Sequence, residues 1–474
     1  MTPDQYTPEE PISSIATALA PAALGIVRTS GKNCVELVSK VFSRPGALKA
    51  AGGNTLVYGW MVGLEGEKID EVMCAVYRAP KSFTGEDMVE IFCHGGPAVV
   101  TAIQNLMLKS GFRQANRGEY TFRAYINGKT DLTKAEAVKE IIDSHTDVSR
   151  SHAAGRLAGS LFTEIDSIKK LIIDTLAAIE VEIEYPEDEE TIADTFDRTD
   201  IELAIKRLTA LVDSWKGEKL YQDGARVVLA GRTNAGKSSL FNVILKEERA
   251  IVSDIEGTTR DWLESWASIN GIPVRLFDTA GLRETSDIIE AQGVQLSKNL
   301  ANDADVVLYL VDSTAGLTPD DTAFIQNCPE PLILVYTKSD KIEGGESLPL
   351  APAAAASSAT PSNGGHPRNA PAVYISSKTG QGISELFNQI TKILTAGLST
   401  EREQAGLGSA RQKESVAQAL ECVKHALVSA DDNYTLDAVV QDLEDSLDFL
   451  GEVTGDVTPD DVLGSIFANF CVGK

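Results

Sequence analysis

The 474-residue chain is short of several things, and each shortage removes a class of function. Its six cysteines, at positions 34, 74, 93, 328, 422 and 471, are scattered, and no CxxC occurs. Neither a disulfide scaffold nor a thiolate metal site is indicated. No apolar run is long enough to cross a bilayer: the longest uncharged apolar run, Ile15 to Val27, falls short of the roughly 20 residues that a spanning helix needs. The opening MTPDQYTPEE is acidic and lacks a basic end followed by an apolar stretch. Neither a secretory signal nor a basic transit peptide is expected, and the cytoplasm is the expected compartment. Basic residues are also scarce, 43 Lys+Arg against 69 Asp+Glu, for a net charge of −26. That disfavours nonspecific nucleic-acid binding but leaves room for a local basic face.

What is there is a soluble globular composition, 43% hydrophobic and 24% charged, in a length that suggests about three domains. Residues 1–128 mix short β-like runs (Leu24–Arg28, Glu71–Tyr77, Met88–Cys93) with helical spacing from Pro97, which reads as an α+β domain. Residues 129–222 turn helical; Leu161–Ile183 has apolar residues at i, i+3, i+4 spacing, and Tyr185-Pro186 breaks the pattern before EDEE. Residues 223–395 alternate strand and helix, with apolar runs at Arg226–Ala230, Val274–Phe277, Val306–Val311, Leu332–Tyr336 and Val373–Ile375. That pattern predicts a doubly wound parallel sheet with binding loops at the strand ends. Helical spacing returns within 396–474, from Ser409 to Leu450, ahead of a polar, turn-prone tail. The economical reading is an all-α domain split in sequence, carrying the α/β domain as an insertion; two separate bundles are the alternative. Residues 347–371, rich in Ala, Pro, Ser and Gly, read as a flexible loop without chemistry.

The strongest motif is GxxxxGK[ST], running Gly231, Arg232, Thr233, Asn234, Ala235, Gly236, Lys237, Ser238, with Ser239 next. It follows a β run and precedes a helical one, the context that lets backbone N–H groups cradle phosphates. Lys237 is placed to reach the β/γ-phosphates and Ser238 a Mg²⁺ ion. The second motif is Asp278, Thr279, Ala280, Gly281, whose aspartate suits Mg²⁺ and whose glycine N–H suits the γ-phosphate. Between them lie Ser253, Asp254, Ile255, Glu256, Gly257, Thr258 and Thr259, where a threonine can complete the Mg²⁺ shell as a switch loop does. The third is Thr337, Lys338, Ser339, Asp340: a carboxylate here accepts from the N1–H and N2–H₂ edge of guanine, which adenine does not offer. The usual first residue of this motif is Asn. Ser376, Ser377 and Lys378 follow the last strand and are placed to back the base. The chain therefore reads as a GTPase. Leu282 stands where many GTPases carry the Gln that orients attacking water, so another group must do that work.

Outside these motifs, SFTGEDMVE with HGG (82–96), NGKTDLTKAEAV (127–138), EYPEDEE (184–190) and the ending GDVTPDDVLGSIFANFCVGK resemble the bacterial tRNA modification GTPase family MnmE, or TrmE, along nearly the whole chain. The resemblance implies an N-terminal folate-binding α+β domain and a discontinuous helical domain with an inserted G domain. It implies a homodimer whose G domains approach each other on binding GTP, aided by K⁺ at positions matching Asn234, Ser253, Ile255 and Thr258. Glu290 matches the family's water-positioning glutamate; on its own it reads as an acid on a solvated helix face. The folate carrier, 5-formyl- or methylene-tetrahydrofolate, is implied at positions matching Arg28, Glu90, Lys129 and Lys474, each alone an ordinary surface charge. The implied partner is the FAD protein MnmG; the net charge of −26 fits a tRNA contact made largely through it, and no membrane is expected. The implied product carries an aminomethyl or carboxymethylaminomethyl group at carbon 5 of a wobble uridine. Three departures from the family stand out: Leu19–Leu24 lacks the glycines and arginine of the usual PPGRGG, Ser253 replaces Thr, and Thr337 replaces Asn. Cys471 matches the family's terminal cysteine, as either a buried thiol or a chemical participant. The competing functions are a GTP-dependent assembly switch with no direct role in modification and a folate-sensing regulator. No KH-like RNA module is visible to favour a ribosome-bound factor.

Overall fold

The computed structural model describes residue 7 and residues 10–184, 198–247, 263–278, 304–341, 370–398, 405–431 and 436–474. It resolves into two compact units. One comprises 1–139, 155–212 and 409–474; the other comprises 140–154 and 213–408.

The first unit is built on strands β1 (Ile12–Ile15), β2 (Ala22–Ser30), β3 (Thr55–Val62), β4 (Lys68–Tyr77), β5 (Met88–Gly95) and β6 (Arg113–Gln114), in the order β3-β4-β5-β2-β1-β6. Pairing is antiparallel except for the short parallel contact of β1 with β6. Alternation fixes two faces. Val57, Cys74, Ile91 and Val27 stand in cross-strand register and are buried against Val35, Val38, Ile103 and Met107, from the helices Cys34–Ser39 and Pro97–Lys109. The opposite row, Tyr58, Met73, Phe92 and Ile26, is open; Tyr58 is 52% and Met73 43% exposed.

The helical part of this unit follows from its spacing. Leu161, Ile165, Ile168, Ile172 and Ile179 form one buried stripe of the helix Ser160–Glu184. Ile201, Ala204, Leu208 and Leu211 do the same on Arg198–Asp223. The helices Ala410–Asp431 and Leu436–Thr454 pack on each other. The sequence predicts a turn-prone tail after Leu450, but residues Asp460–Ala468 are helical. Leu463, Phe467 and Phe470, one face at i, i+4, i+7, bury against Phe122 and Leu132. The tail is thus a packing element, and apolar spacing overrides its polar composition.

The second unit holds β7 (Ala225–Gly231), β8 (Leu263–Ile269), β9 (Ile272–Asp278), β10 (Val306–Asp312), β11 (Leu332–Thr337) and β12 (Ala372–Tyr374), in the order β12-β11-β10-β7-β9-β8. All neighbours run parallel except the edge hairpin β8/β9. That hairpin departs from the all-parallel expectation. Its turn is Asn270-Gly271, with φ of 50° and 85°, the left-handed pair that a tight two-residue hairpin requires. The strand order reverses at β7, which has β9 on one side and β10 on the other, so the loops leaving β7 and β10 open the crevice of a doubly wound sheet.

Candidate functional site

The phosphate loop lies between β7 and the helix Lys237–Glu247. Gly231 has φ 136°, and a Cβ there would stand 2.4 Å from the carbonyl oxygen of Leu310 on β10. No side chain fits without moving sheet backbone, so the first glycine of the motif is a packing requirement. Asn234 (φ 64°) and Gly236 (φ 95°) are also left-handed, and these turns set up the backbone path of the loop. The Lys237 ammonium donates to the carbonyls of Gly231 (2.7 Å) and Arg232 (2.9 Å), which holds it over the loop. Ser238 and Ser239 are exposed in the first helical turn. A hydroxyl beside a helix N-terminus fits the hard, oxygen-ligated Mg²⁺ shell.

The third motif grips this loop from β11. Lys338 (φ 58°) donates to the carbonyl of Asn234 at 2.9 Å and to Asp312 at 2.6 Å. Thr337, 2% exposed, donates its hydroxyl to the carbonyl of Ala235 at 2.7 Å, with Val311 O at 3.3 Å. Asp340 is exposed and accepts from the Ser376 hydroxyl at 2.7 Å, a bond that lowers its pKa, with Lys378 acting in the same direction. Asp340, Ser376 and Lys378 are therefore grouped, with Asp340 a carboxylate at neutral pH and Ser377 between its two partners in sequence. Sequence reasoning missed Asp312. The Lys338 ammonium beside it holds its carboxyl at about 2, against the cost of burial, with the Thr314 hydroxyl and amide assisting. Its signal was an acid directly at the end of the strand run VVLYLV. The side chain of Asp278, at the end of β9, and the expected residues 253–259, 279–281 and Glu290 lie outside the described residues, as do Leu282, EYPEDEE beyond Glu184, and the loop 347–371 up to residue 369. Of the implied K⁺ positions only Asn234 is described.

The first unit carries a second cluster. Arg28 on β2 and Glu90 on β5 are register partners. Their ion pair is 2.8 Å, with the side chains 17% and 14% exposed. Arg28 also donates to Gly473 O at 3.0 Å and lies over the rings of Phe83 and Tyr120, at 5.6 and 5.5 Å from their centroids. Burial first, and then Arg28, lowers the pKa of Lys474, while Glu90 opposes them. Arg28, Glu90 and Lys474 are thus one cluster. Lys129 donates to Pro80 O at 3.0 Å and so lies on the segment that leads to Phe83. Sequence reasoning missed Phe83, which is 40% exposed, Tyr120, whose hydroxyl donates to Arg28 O at 2.8 Å, and Tyr77, whose hydroxyl donates to Glu90 at 3.3 Å. Only the aromatic at the second position of SFTGED was a visible cue. Cys471 is exposed, which does not fit a buried structural thiol.

The family described as MnmE helical domain matches residues 132–471, and that described as GTP-binding protein TrmE N-terminus matches residues 11–129. The chain belongs to the MnmE family. It is 49% identical to the tRNA modification GTPase MnmE of Treponema denticola, covering 99% of both chains. It is 42% identical to the protein of that name from Treponema pallidum (strain Nichols) over 100% of each, and 40% to that of Borrelia turicatae over 98% of each. The N-terminal TrmE match spans the sheet bearing Arg28 and Glu90. The MnmE helical match begins in the helix Leu132–Asp143 and reaches Cys471, enclosing the nucleotide unit within its span. Among the described residues no helix is long and apolar enough to cross a membrane.

Proposed function

We propose that this chain is a GTP hydrolase acting in tRNA modification, as its relatives are named, and that the modified position is carbon 5 of a wobble uridine. The observation that carries the hydrolase is the phosphate loop tied by Lys338 and Thr337, with Asp340 of the same motif held by the Ser376 hydroxyl. Bound GTP–Mg²⁺ supplies the phosphoanhydride and its charge compensation. Lys237, released from Gly231 and Arg232, turns to the phosphate oxygens, Ser238 and Thr259 offer hydroxyls to the metal, and Asp340 receives the guanine N1–H and N2–H₂ edge. Glu290 holds the attacking water, the task Leu282 is unable to perform. Asn234, Ser253, Ile255 and Thr258 would hold a K⁺ ion.

The Arg28–Glu90–Lys474 cluster supports the folate reading. Two cations beside a carboxylate, with the Phe83 ring exposed, match an aromatic ligand with an amidine-like edge and carboxylate ends. The open row of Tyr58 and Met73, with Leu24 62% and Leu56 58% exposed, supports a homodimer joined through the N-terminal sheet. With a net charge of −26, tRNA contact falls largely to the FAD partner MnmG. The test is GTP hydrolysis in K⁺ and in Na⁺ over a protein concentration series, with Glu290→Ala alongside. A K⁺-stimulated, concentration-dependent rate that collapses in the variant is expected. A slow, cation-blind rate unchanged by the substitution would favour a passive assembly switch.

A further inference from the structure

Thr337 stands where the usual motif has Asn, and the two side chains differ in donor count. An Asn amide carries two N–H donors and a carbonyl, so it is able to hold a main-chain carbonyl and still donate to a ligand. A Thr hydroxyl has one hydrogen. Here that hydrogen is spent inside the protein. Thr337 is 2% exposed, its Oγ1 lies 2.7 Å from Ala235 O, and the nearest alternative acceptor, Val311 O at 3.3 Å, is again main chain. Its side chain also abuts the loop: a Cβ on Gly236 would sit 3.5 Å from Thr337 atoms. Together with Lys338 on Asn234 O, the motif holds two consecutive carbonyls of the phosphate loop.

Guanine presents two acceptors, O6 and N7, besides its N1–H and N2–H₂ donors. Asp340 takes the donor edge. The Ser376–Lys378 segment is bonded to Asp340 through Ser376 and so lies at the same end, where O6, the acceptor adjacent to N1, would fall once Asp340 holds N1–H. N7 is left for a donor from the loop side, and the residue there has none to give. We infer that Thr337 latches the phosphate loop and leaves guanine N7 unread, so that base selection in this chain rests on the Asp340 end alone. This inference rests on the nucleotide-binding reading above.

The experiment compares GTP with 7-deaza-GTP, which replaces N7 by C–H and keeps every other edge, by equilibrium binding to the full chain with Mg²⁺. The wild type should bind the two within about 2-fold, because no hydrogen bond is lost. Thr337→Asn, which adds the missing donor, should come to prefer GTP by roughly 3- to 10-fold. Thr337→Val should lose about 5-fold for both nucleotides alike, and Thr337→Ser should restore both, because the latch needs only the hydroxyl. A wild type that binds GTP more than 5-fold tighter than the deaza analogue overturns the inference, and the Ser339 hydroxyl would then be the first donor to examine. A Thr337→Asn variant that stays indifferent to N7 also overturns it. Failure to bind either nucleotide refutes the GTPase reading itself, an outcome distinct from both.

Discussion

Arg123 offers the sharpest test of how the first unit is held. It is fully buried, and so is Glu119, to which it donates at 2.9 Å. Its other terminal nitrogen donates to both oxygens of Glu86, at 2.9 and 3.1 Å, and to Glu10 O at 2.9 Å. Burial pushes the Glu119 carboxyl up, but Arg113, the Asn116 amide and Arg123 outweigh it, and the net shift is downward. Replacing Arg123 with Met keeps length and removes charge. Glu119 retains Arg113 at 2.6 Å, while Glu86 is left with the neutral Ser30 hydroxyl at 2.7 Å. Breaking a buried pair costs about 3–5 kcal/mol, and the retained Arg113 places this case near ~3. For a unit of this size that is a fall of about 6–12 °C in melting temperature. Calorimetry and urea unfolding would measure it. Glu86→Gln in the same background should recover at least about 1 kcal/mol, because the stranded carboxylate is removed. A loss below about 1 kcal/mol for the single variant, or strict additivity in the double, would refute the reasoning. The pair also anchors the 84–86 segment next to Phe83, since Glu86 accepts from Ser30 and Asn127 donates to Thr84 O. The variant should therefore weaken ligand binding at Arg28 as well.

Three further outcomes follow from the same geometry. Gly231→Ala should abolish nucleotide binding and destabilise the nucleotide unit by roughly 3 kcal/mol or more, from backbone strain plus a clash with Leu310 O, measured by chemical unfolding. Because the folded pKa of Asp312, about 2, lies below the ordinary value near 4, its pairing stabilises fully above pH ~4 and is lost as pH falls toward 2. Asp312→Asn should lower stability at pH 7 by up to about 1 kcal/mol, as expected for a partly exposed pair, and flatten the loss between those pH values in an acid melting series. Lys474 has a lowered pKa, so binding a carboxylate ligand beside it should draw in protons on the alkaline side, read as a buffer-dependent heat in titration calorimetry.

How much of this was legible beforehand depended on distance along the chain. Local signals carried far: the apolar runs from Arg226 to Ala230 and from Val306 to Val311 are β7 and β10, and the eight-residue phosphate motif sits where its strand–loop–helix context predicted. The edge strand β8 escaped because LESWASI is neither strictly alternating nor continuously apolar; the Asn270-Gly271 turn that pairs it with β9 was the missed cue. The β3 run TLVYGWMV escaped for a related reason: its open face keeps large apolar residues, which hides the period of two. Asp312 and Phe83 left only faint local cues and Tyr120 none, because their importance lies in partners 26, 55 and 92 residues away, namely Lys338 for Asp312 and Arg28 for Phe83 and Tyr120. The placement of Lys474 beside Arg28 came from family resemblance, since nothing local announces a contact between opposite stretches of the chain.

That last contact sets a timetable for biosynthesis. Arg28 and Glu90 leave the ribosome early, yet the Gly473 carbonyl that Arg28 grips and the neighbouring Lys474 are made more than 380 residues later. The whole nucleotide unit, residues 140–154 and 213–408, is synthesised in between, before the Arg28 cluster is complete. A nascent or truncated chain therefore has a finished phosphate loop before it has a finished Arg28 cluster. A chain cut short soon after residue 408 would carry the phosphate loop while lacking the Gly473 carbonyl and the Lys474 ammonium that complete the Arg28 cluster.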